Sequence, residues 1–262
     1  VELAGFGNFA KKSSGTQVAG FANFSGNTSG LQLAGFMNMA KSVNGMQLGG
    51  FINKAENIHG MQFGGFINVA KNVKGMQFAG FINKAKIVHG TQLSGFINIA
   101  DTADYQIGLI NISKNGEMSL AATIDENRTA LISLRSGGKL LYGIIGVGYN
   151  LSTKKDVYAY EAGFGAHIVH AEPFRLNAEL TSTSLLNFKG LDYYRSAFAL
   201  LPSIKLGDRI DLFAGPSIVY LQTNSSEDMM RHKKYISSWG GKNGDDFRAF
   251  YIGYNAGVAI RL

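Results

Sequence analysis

Apolar and polar positions in the first part of the chain recur every 15 residues, in the pattern G-x-Q-x-x-G-F-x-N-x-A. Six copies begin at glycines, which are Gly15, Gly30, Gly45, Gly60, Gly75 and Gly90. A decayed copy runs from Tyr105 to Asn111, and Leu3–Asn8 is in phase with the others. Self-similarity at a fixed period indicates a repeat architecture. Because residue 1 falls inside a repeat, we expect the chain to begin downstream of the true N-terminus.

A 15-residue period favours one turn of a β-solenoid. Helical repeats need about 30 residues for a helix pair, and units rich in Gly and Asn are poor helix formers. In a parallel solenoid, equivalent residues stack about 4.8 Å apart. We therefore predict Phe stacked on Phe and one hydrogen-bonded column through Asn53, Asn68 and Asn83. Two adjacent apolar residues, such as Phe66 and Ile67, indicate either a corner beside the preceding glycine or burial of both faces.

The sequence leaves one alternative open for the repeats. Each repeat could be a membrane strand of about ten residues in a single barrel of about 16 strands. Antiparallel neighbours would then place equal repeat positions at different heights, and nothing would favour the same Asn and Gln in every strand. Lys54 and Lys84 would also face lipid. The solenoid is therefore the favoured prediction for residues 1–116.

Beyond the repeats, strict alternation of apolar and polar positions takes over. In the segment 157–170, large residues such as Tyr158 and Phe164 alternate with Glu161 and small residues. We predict eight strands, at 117–124, 129–135, 139–151, 157–170, 174–187, 193–206, 210–222 and 248–262. Most exceed the about 5–6 residues usual in soluble sheets, and short turns alternate with longer loops. The chain is thus predicted to be all-β, with an eight-stranded antiparallel membrane β-barrel over 117–262; a soluble β-sandwich is the alternative.

Composition and charge narrow the classes of function. The chain is 45% hydrophobic and 16% charged and contains no Cys, which excludes disulfides, thiolate metal sites and cysteine nucleophiles. It has no run of 18 apolar residues, so no transmembrane helix is expected. The net charge of +7 comes mainly from Lys in the repeats, where Lys41, Lys71 and Lys86 share one variable stretch. Scattered Lys without Arg clusters favours a solvated edge over an anionic partner, and we expect no nucleic acid.

Titratable residues form no convincing catalytic or metal-binding set. His59 and His89 share a repeat position, but they would lie two turns, about 9–10 Å, apart with Lys74 between them. His167 and His170 differ by three along a strand and are expected on opposite faces. Four charged residues share the predicted lumen face, namely Glu161, Arg175, Glu179 and Arg195. Interleaved acids and bases there favour a paired ion network over an ion path or catalysis. We expect no catalytic, cofactor-binding or metal site and no cofactor.

Three segments carry a resemblance to a known family. The unit Gly60–Ala70, the junction 107–117 and the segment 141–149 resemble bacterial surface repeat-containing proteins common in Bacteroidota. The resemblance covers nearly the whole chain and implies an envelope location, in the bacterial outer membrane. It implies no known activity and no catalytic residue.

These patterns together predict a non-enzymatic outer-membrane structural or interaction protein. The barrel would anchor the chain in outer-membrane lipid, and the repeat surface and loop 223–247 would bind another envelope protein or complex. The loop is long for closing two strands and carries residue types enriched in interface cores: Met229, Met230, Arg231, Tyr235 and Trp239. The alternative is a porin-like transport protein with the repeats as barrel strands. A membrane-embedded enzyme would need a nucleophile and a base that the sequence does not offer.

Overall fold

The computed structural model describes residues 1–138, 140–152, 157–186, 191–224, 234–240 and 246–262. The chain divides into two compact units, the repeat unit (Val1–Gly116) and the barrel unit (Glu117–Leu262). The regular elements of the described residues are β-strands, which confirms the all-β prediction. Among the same residues, no helix is long and apolar enough to cross a membrane.

The repeat unit is a parallel β-solenoid. Its thirteen strands are β1 Glu2–Ala4, β2 Gly7–Ala19, β3 Ala22–Ala34, β4 Met37–Gly49, β5 Ile52–Lys54, β6 Asn57–Gly64, β7 Ile67–Val69, β8 Asn72–Ala79, β9 Ile82–Lys84, β10 Ile87–Ser94, β11 Ile97–Ile99, β12 Thr102–Ile107 and β13 Ile110–Ile112. From β5 onward each turn has a long and a short strand, separated by bends such as Gly65-Phe66 and 70–71. The adjacent apolar pair of each repeat therefore does mark a corner.

Strand register settles the choice between the two predicted architectures. Asn53 pairs with Asn68, and Asn68 with Asn83, in parallel strands. The Asn68 Nδ2 donates to Asn83 Oδ1 at 2.9 Å, so the predicted column is confirmed. Equal positions lie side by side because the sequence period and the length of one turn coincide. The alternative of one 16-stranded barrel is wrong, since its antiparallel strands would separate these residues.

The interior of the solenoid holds two amide ladders beside a small apolar core. Gln77 Nε2 donates to Gln62 Oε1 at 2.8 Å, parallel to the Asn column, and both ladders are buried. Asn68 Nδ2 also donates to the Phe78 carbonyl at 2.6 Å. Side chains with 0–7% exposure fill the remaining space, namely Ala40, Val43, Ala55, Ile58, Ala70, Val73, Ala85, Val88, Ala100 and Ala103. Buried amides are tolerated here because the next turn supplies their partner.

The first glycine of each repeat is required by geometry. Gly60 has a φ of 130°, and a Cβ placed on it would overlap the carbonyl oxygen of Gly45 in the preceding turn. The same holds for Gly75 against Gly60. L-residues with side chains rarely adopt this backbone conformation, and the stacked backbone leaves no room for one. The invariant glycine of the sequence period is thus explained by close backbone approach.

The barrel unit is a closed antiparallel β-barrel. In its described part, eight long strands and one short strand run as β14 Glu117–Asp125, β15 Thr129–Gly137, β16 Leu141–Asn150, β17 Tyr158–Ala171, β18 Phe174–Leu186, β19 Leu191–Leu206, β20 Ile210–Thr223, β21 Ser237–Trp239 and β22 Phe247–Arg261. Each long strand pairs with the next, and β14 pairs with β22 to close the ring. This confirms the eight predicted strands to within two residues at every end and excludes the sandwich.

A β-bulge in β17 changes one sequence expectation. Register shifts between His167 and Val169, so that His167 pairs with Asn177 and His170 pairs with Arg175. Asn177 and Arg175 lie on the same face of β18, because they are two residues apart. The two histidines therefore share a face, and the expectation of opposite faces is wrong. Counting along a regular strand puts residues three apart on opposite faces. The bulge adds one residue between the two histidines, so their side chains return to the same face.

Candidate functional site

The described interior of the barrel is filled by side chains. Towards the rim that carries turn 126–128, the core consists of Leu131, Ala159, Leu185, Tyr193, Ala197, Val219, Leu221 and Tyr251. A second cluster lies further along the axis and contains Ala121, Ala199, Leu201, Phe213 and Ala259. Eight strands enclose a space just wide enough for such side chains, so this barrel has a core where a larger one has a lumen.

Arg195 is the centre of the first ion cluster. Its guanidinium is 2% exposed and donates to both oxygens of Glu126 at 3.1 Å, with Asp125 Oδ2 at 3.7 Å. Tyr251 donates its hydroxyl to Glu126 Oε1 at 2.8 Å. Burial favours protonation of Glu126, but the charge and hydrogen bonds of Arg195 outweigh it and hold the pKa below its ordinary value. The turn 126–128 thereby delivers a carboxylate into the barrel interior.

A second ion pair lies on the inward face of β15 and β18. Arg135 donates to both oxygens of Glu179, at 2.9 and 3.0 Å, and its guanidinium carbon lies 5.0 Å from the Phe213 ring centre. Tyr142 donates its hydroxyl to the same carboxylate at 2.8 Å. The bidentate geometry and the third donor compensate the loss of hydration that burial imposes on both charges. Protein groups fill most of the hydrogen-bonding positions of this pair, but Arg135 Nη1 is buried without a hydrogen-bond partner among the described residues.

Further ion pairs approach the opposite rim, which carries turns 172–173 and 207–209. Arg175 donates to Glu117 at 2.7 and 3.2 Å, and Arg261 donates to Asp211 at 2.8 and 2.9 Å. The cavity beside them measures only about 50 Å³. It is lined by charged and aromatic side chains that include Glu117, Arg135, Tyr142, His167, Arg175, Glu179, Asp211, Phe213 and Arg261. A space of this size holds water rather than an organic solute.

The structure distributes the four predicted lumen residues over several contacts. Glu161, Arg175, Glu179 and Arg195 all point inward, but each has a different partner, and Glu161 accepts from Ser133 Oγ at 2.9 Å. The partners missed by the sequence interpretation are Glu117, Arg135, Asp125 and Glu126. The inward parity of their strands marks the first three. Nothing in the alternation marks Glu126, which lies outside the strands.

The outer surface of the barrel unit is apolar. One hydrogen-bonded row crosses five strands through large side chains that are 45–69% exposed, namely Phe164, Leu180, Phe198, Ile218 and Ile252. Aromatic residues cluster towards the rim of turn 126–128, including Tyr149, Tyr158, Tyr220, Trp239 and Phe250. An apolar belt bordered by aromatic side chains, around an interior of ion pairs, is the arrangement of a transmembrane β-barrel.

The described part of loop 223–247 is engaged with the barrel itself. Tyr235 packs against Phe247 and Tyr251 and extends the apolar core, and β21 pairs with β22. Trp239 lies 6.3 Å from Tyr220, centre to centre, within the aromatic cluster. Tyr235 and Trp239 therefore have contacts within the barrel unit, and their expected contact with a partner stays a prediction. Met229, Met230 and Arg231 lie outside the described residues.

The repeat unit presents columns of equal side chains on its outer surface. Phe21, Phe36, Phe51, Phe66 and Phe81 stack with ring centres 4.9–5.3 Å apart and remain 36–41% exposed. Another exposed column contains His59, Lys74 and His89 on successive turns. The two histidines are therefore separated as predicted. Among the described residues, no three His, Asp or Glu side chains converge to hold a metal ion.

Comparisons with known proteins give similar solved structures but no match in sequence. No family model matches the chain, and no curated protein is similar to it. Three of the similar solved structures illustrate the match, and each covers 56% of this chain. The first is Neisserial surface protein A, with 15% identity, 94% of that chain covered and a TM-score of 0.29. The second is the N-terminal β-barrel domain of Pseudomonas aeruginosa OprF, with 12% identity, 99% of that chain covered and a TM-score of 0.30. The third is the Yersinia pestis outer membrane protein Ail, with 8% identity, 99% of that chain covered and a TM-score of 0.30.

Proposed function

We propose that this protein is a non-enzymatic interaction protein of the bacterial outer membrane. The barrel unit is the anchor in outer-membrane lipid, and the outer surface of the repeat unit binds another envelope protein. The observation that carries the proposal is the inverted distribution of polarity in the barrel unit, with large apolar side chains such as Phe164 and Ile252 outside and Arg–carboxylate pairs inside. In water, this surface would far exceed the apolar patches of soluble monomers.

The filled interior supports anchoring over transport. Arg135–Glu179 and Arg195–Glu126 are bidentate pairs embedded among apolar side chains, and the cavity beside the former measures about 50 Å³. Opening a path for a solute would separate buried ion pairs, which is strongly unfavourable. The porin-like alternative also assigned the repeats to barrel strands, whereas they form the solenoid.

The turns indicate how the barrel is oriented. The connections 172–173 and 207–209 are tight, and they share a rim with Glu117, the first residue of β14. Bacterial barrels have short turns on the periplasmic side and longer loops outside. We infer that the chain enters the barrel at the periplasmic rim, where a partner would be a periplasmic or outer-membrane protein.

The polar edge of the repeat unit is the best candidate for contact with a protein. We define this edge as two exposed columns, Ser29, Asn44, His59, Lys74, His89 and Asp104 together with Lys41, Glu56, Lys71, Lys86 and Asp101. Its members differ from turn to turn, whereas the buried Asn and Gln columns are constant. Regular spacing with variable chemistry is the way solenoids present binding surfaces.

Two measurements test the proposal. The protein should need detergent for extraction from the envelope, and unboiled samples should migrate differently from boiled ones. A photo-crosslinking residue at Lys74 in living cells should give a discrete product with one envelope protein, while the same residue at buried Ile58 gives none. Recovery in the soluble fraction, or conductance steps in planar bilayers, would contradict the proposal.

A deletion separates the repeat surface from the loop. Removing 226–232 retains Tyr235 and β21, so the barrel should insert normally and the Lys74 crosslink should persist. Loss of the crosslink with normal insertion would assign the contact to the loop.

A further inference from the structure

One side of the repeat unit is apolar on its outer surface along its whole length. We define the apolar face as three columns: Leu33, Leu48, Phe63, Phe78 and Leu93; Phe36, Phe51, Phe66, Phe81 and Phe96; and Met37, Ile52, Ile67, Ile82 and Ile97. With about 200 Å² for each Phe side chain, the Phe column alone exposes on the order of 400 Å². That equals the largest apolar patch of a typical soluble monomer, before the other two columns are counted.

Ring geometry restricts what this face can bind. Neighbouring rings such as Phe66 and Phe81 are parallel within 2°, with centres 5.0 Å apart. Ring faces are therefore directed at each other along the column, and the exposed part is the ring edge. Sugars and cations bind to ring faces, so neither has a platform here. The face is a continuous hydrocarbon ridge.

The border of the apolar face carries cations without counter-ions. Lys54 and Lys84 lie on the same outer side of the short strands as Ile52 and Ile82, two residues further along. Both are exposed, and neither has a carboxylate within ion-pair distance among the described residues. On the polar edge, Lys71 lies 3.3 Å from Glu56, whereas Lys41, Lys74 and Lys86 likewise have no carboxylate within ion-pair distance among the described residues. What distinguishes Lys54 and Lys84 is their position beside the apolar columns, two turns or about 10 Å apart.

We propose that the apolar face of the repeat unit lies on a lipid bilayer surface, with the Phe column at the boundary between headgroups and acyl chains and with Lys54 and Lys84 against anionic lipid phosphates. An apolar face bordered by Lys, with a polar side opposite, is the composition of an interfacial membrane element. Only residues 113–116 separate β13 from β14, so an inserted barrel tethers the repeat unit to a membrane. The inference rests on the proposed membrane anchorage.

Charge favours lipid over a second copy of the chain. Two apolar faces packed against each other would bring Lys54 and Lys84 of both copies into one interface without acidic partners, and like charges there are repulsive. Anionic headgroups supply the missing counter-charge at the border of a hydrocarbon layer. The lysines at the border and the hydrocarbon ridge therefore both favour a lipid surface as the binding partner of this face.

Fluorescence quenching by lipid tests the proposal on the full-length protein. In a Trp239→Phe background, which removes the only Trp, Phe66→Trp reports on the apolar face and Lys74→Trp on the polar edge. The proteins are reconstituted in phosphatidylethanolamine–phosphatidylglycerol vesicles whose acyl chains are brominated near the headgroup. We expect Phe66→Trp to lose most of its fluorescence and Lys74→Trp to retain it. Ile67→Trp, on the neighbouring column, replaces Phe66→Trp if stacking is disturbed.

Paired charge removals test the role of the cations. Lys54→Gln with Lys84→Gln should lower quenching of the apolar-face probe in anionic vesicles, because each Lys near such a surface contributes about fivefold in affinity. Lys71→Gln with Lys86→Gln removes the same charge from the polar edge and should leave quenching unchanged. Equal effects of the two pairs would overturn the assignment of the phosphate contacts.

A probe on the barrel separates the possible failures. Phe164→Trp in the same background lies in the apolar belt and should be quenched in matched vesicles brominated deep in the acyl chains if the barrel is inserted. Quenching there without quenching at Phe66→Trp overturns the docking proposal and leaves the anchor intact. Absence of quenching at both overturns the anchorage. A blue-shifted Phe66→Trp emission that is unquenched and grows with the protein-to-lipid ratio would assign the face to a second copy.

Discussion

The two units solve the problem of buried polar side chains in opposite ways. In the repeat unit, a polar side chain is bonded to its own kind, as Asn68 is to Asn83 and Gln77 is to Gln62. In the barrel unit, unlike groups are paired, as Arg195 is with Glu126. The difference follows from strand direction. Parallel in-register strands place equal repeat positions together, whereas antiparallel strands bring different positions together.

Self-pairing restricts the chemistry of a column. A group stacked on copies of itself must donate and accept at once, which a primary amide does and a carboxylate or guanidinium does not. A column of charges would repel itself at every turn. The barrel has no such restriction, so it can use charge-assisted hydrogen bonds, which are stronger. Loss of one partner from such a pair is more destabilising, because it leaves a buried charge without compensation.

The largest effect is expected from breaking an unlike pair. Arg195→Leu leaves the Glu126 carboxylate buried without its cation and should cost about 3–5 kcal/mol of the free energy of unfolding. The double variant with Glu126→Leu should recover much of this loss. Urea unfolding in phospholipid vesicles measures both, and a double variant no more stable than Arg195→Leu would contradict the pairing.

A smaller effect is expected on the outer belt. Phe164 is central in β17, so Phe164→Arg should cost about 2–4 kcal/mol if that position is near the bilayer midplane. Tyr158→Arg at the end of the same strand is the matched control and should cost less than about 1 kcal/mol. The same vesicle unfolding assay applies. Equal costs at the two depths would be inconsistent with a membrane-spanning strand.

Breaking a self-paired column should cost less than breaking an ion pair. Asn68→Leu removes bonds to Asn53, Asn83 and the Phe78 carbonyl, and should destabilise the repeat unit by about 1–3 kcal/mol. Hydrogen exchange of the backbone amides in β6–β8 under increasing denaturant measures it. Unchanged exchange would argue against a stabilising ladder.

An isosteric variant sharpens the test of self-pairing. Asn68→Asp keeps the shape but loses the donor towards Asn83, and it buries a charge. It should be most destabilising at neutral pH and less so in acid, where the protonated carboxyl regains a donor. The ratio of exchange rates between variant and parent protein across pH reports this, and a pH-independent ratio would contradict it.

The smallest effect is expected on the polar edge. Lys71→Gln breaks an exposed contact with Glu56 at 3.3 Å and should change stability by no more than about 0.5 kcal/mol. The same exchange experiment measures it. A loss as large as that of Asn68→Leu would mean that the outer columns stabilise the solenoid as the inner ones do.

Sequence predicted the architecture better than the contacts. The 15-residue period predicted the columns that contain Asn68 and Phe66. The alternation of apolar and polar residues predicted the barrel strands and inward residues such as Glu179. Both patterns could be recognised because they repeat along the sequence. Glu126 was missed since it folds inward from a turn, where alternation has no meaning. The face of His170 was mispredicted because a bulge adds one residue without a sequence mark.

The two amide ladders allow the repeat unit to be lengthened by whole turns. Along the chain, Asn side chains donate to the following turn and Gln side chains to the preceding one, as in Asn68 to Asn83 and Gln77 to Gln62. A turn inserted between two others receives and passes on the same bonds, and no terminal residue has to change. Gene duplication can therefore lengthen the protein in steps of 15 residues, each adding about 4.8 Å. The length of the repeat surface can therefore change through the number of repeats, without any change in their sequence.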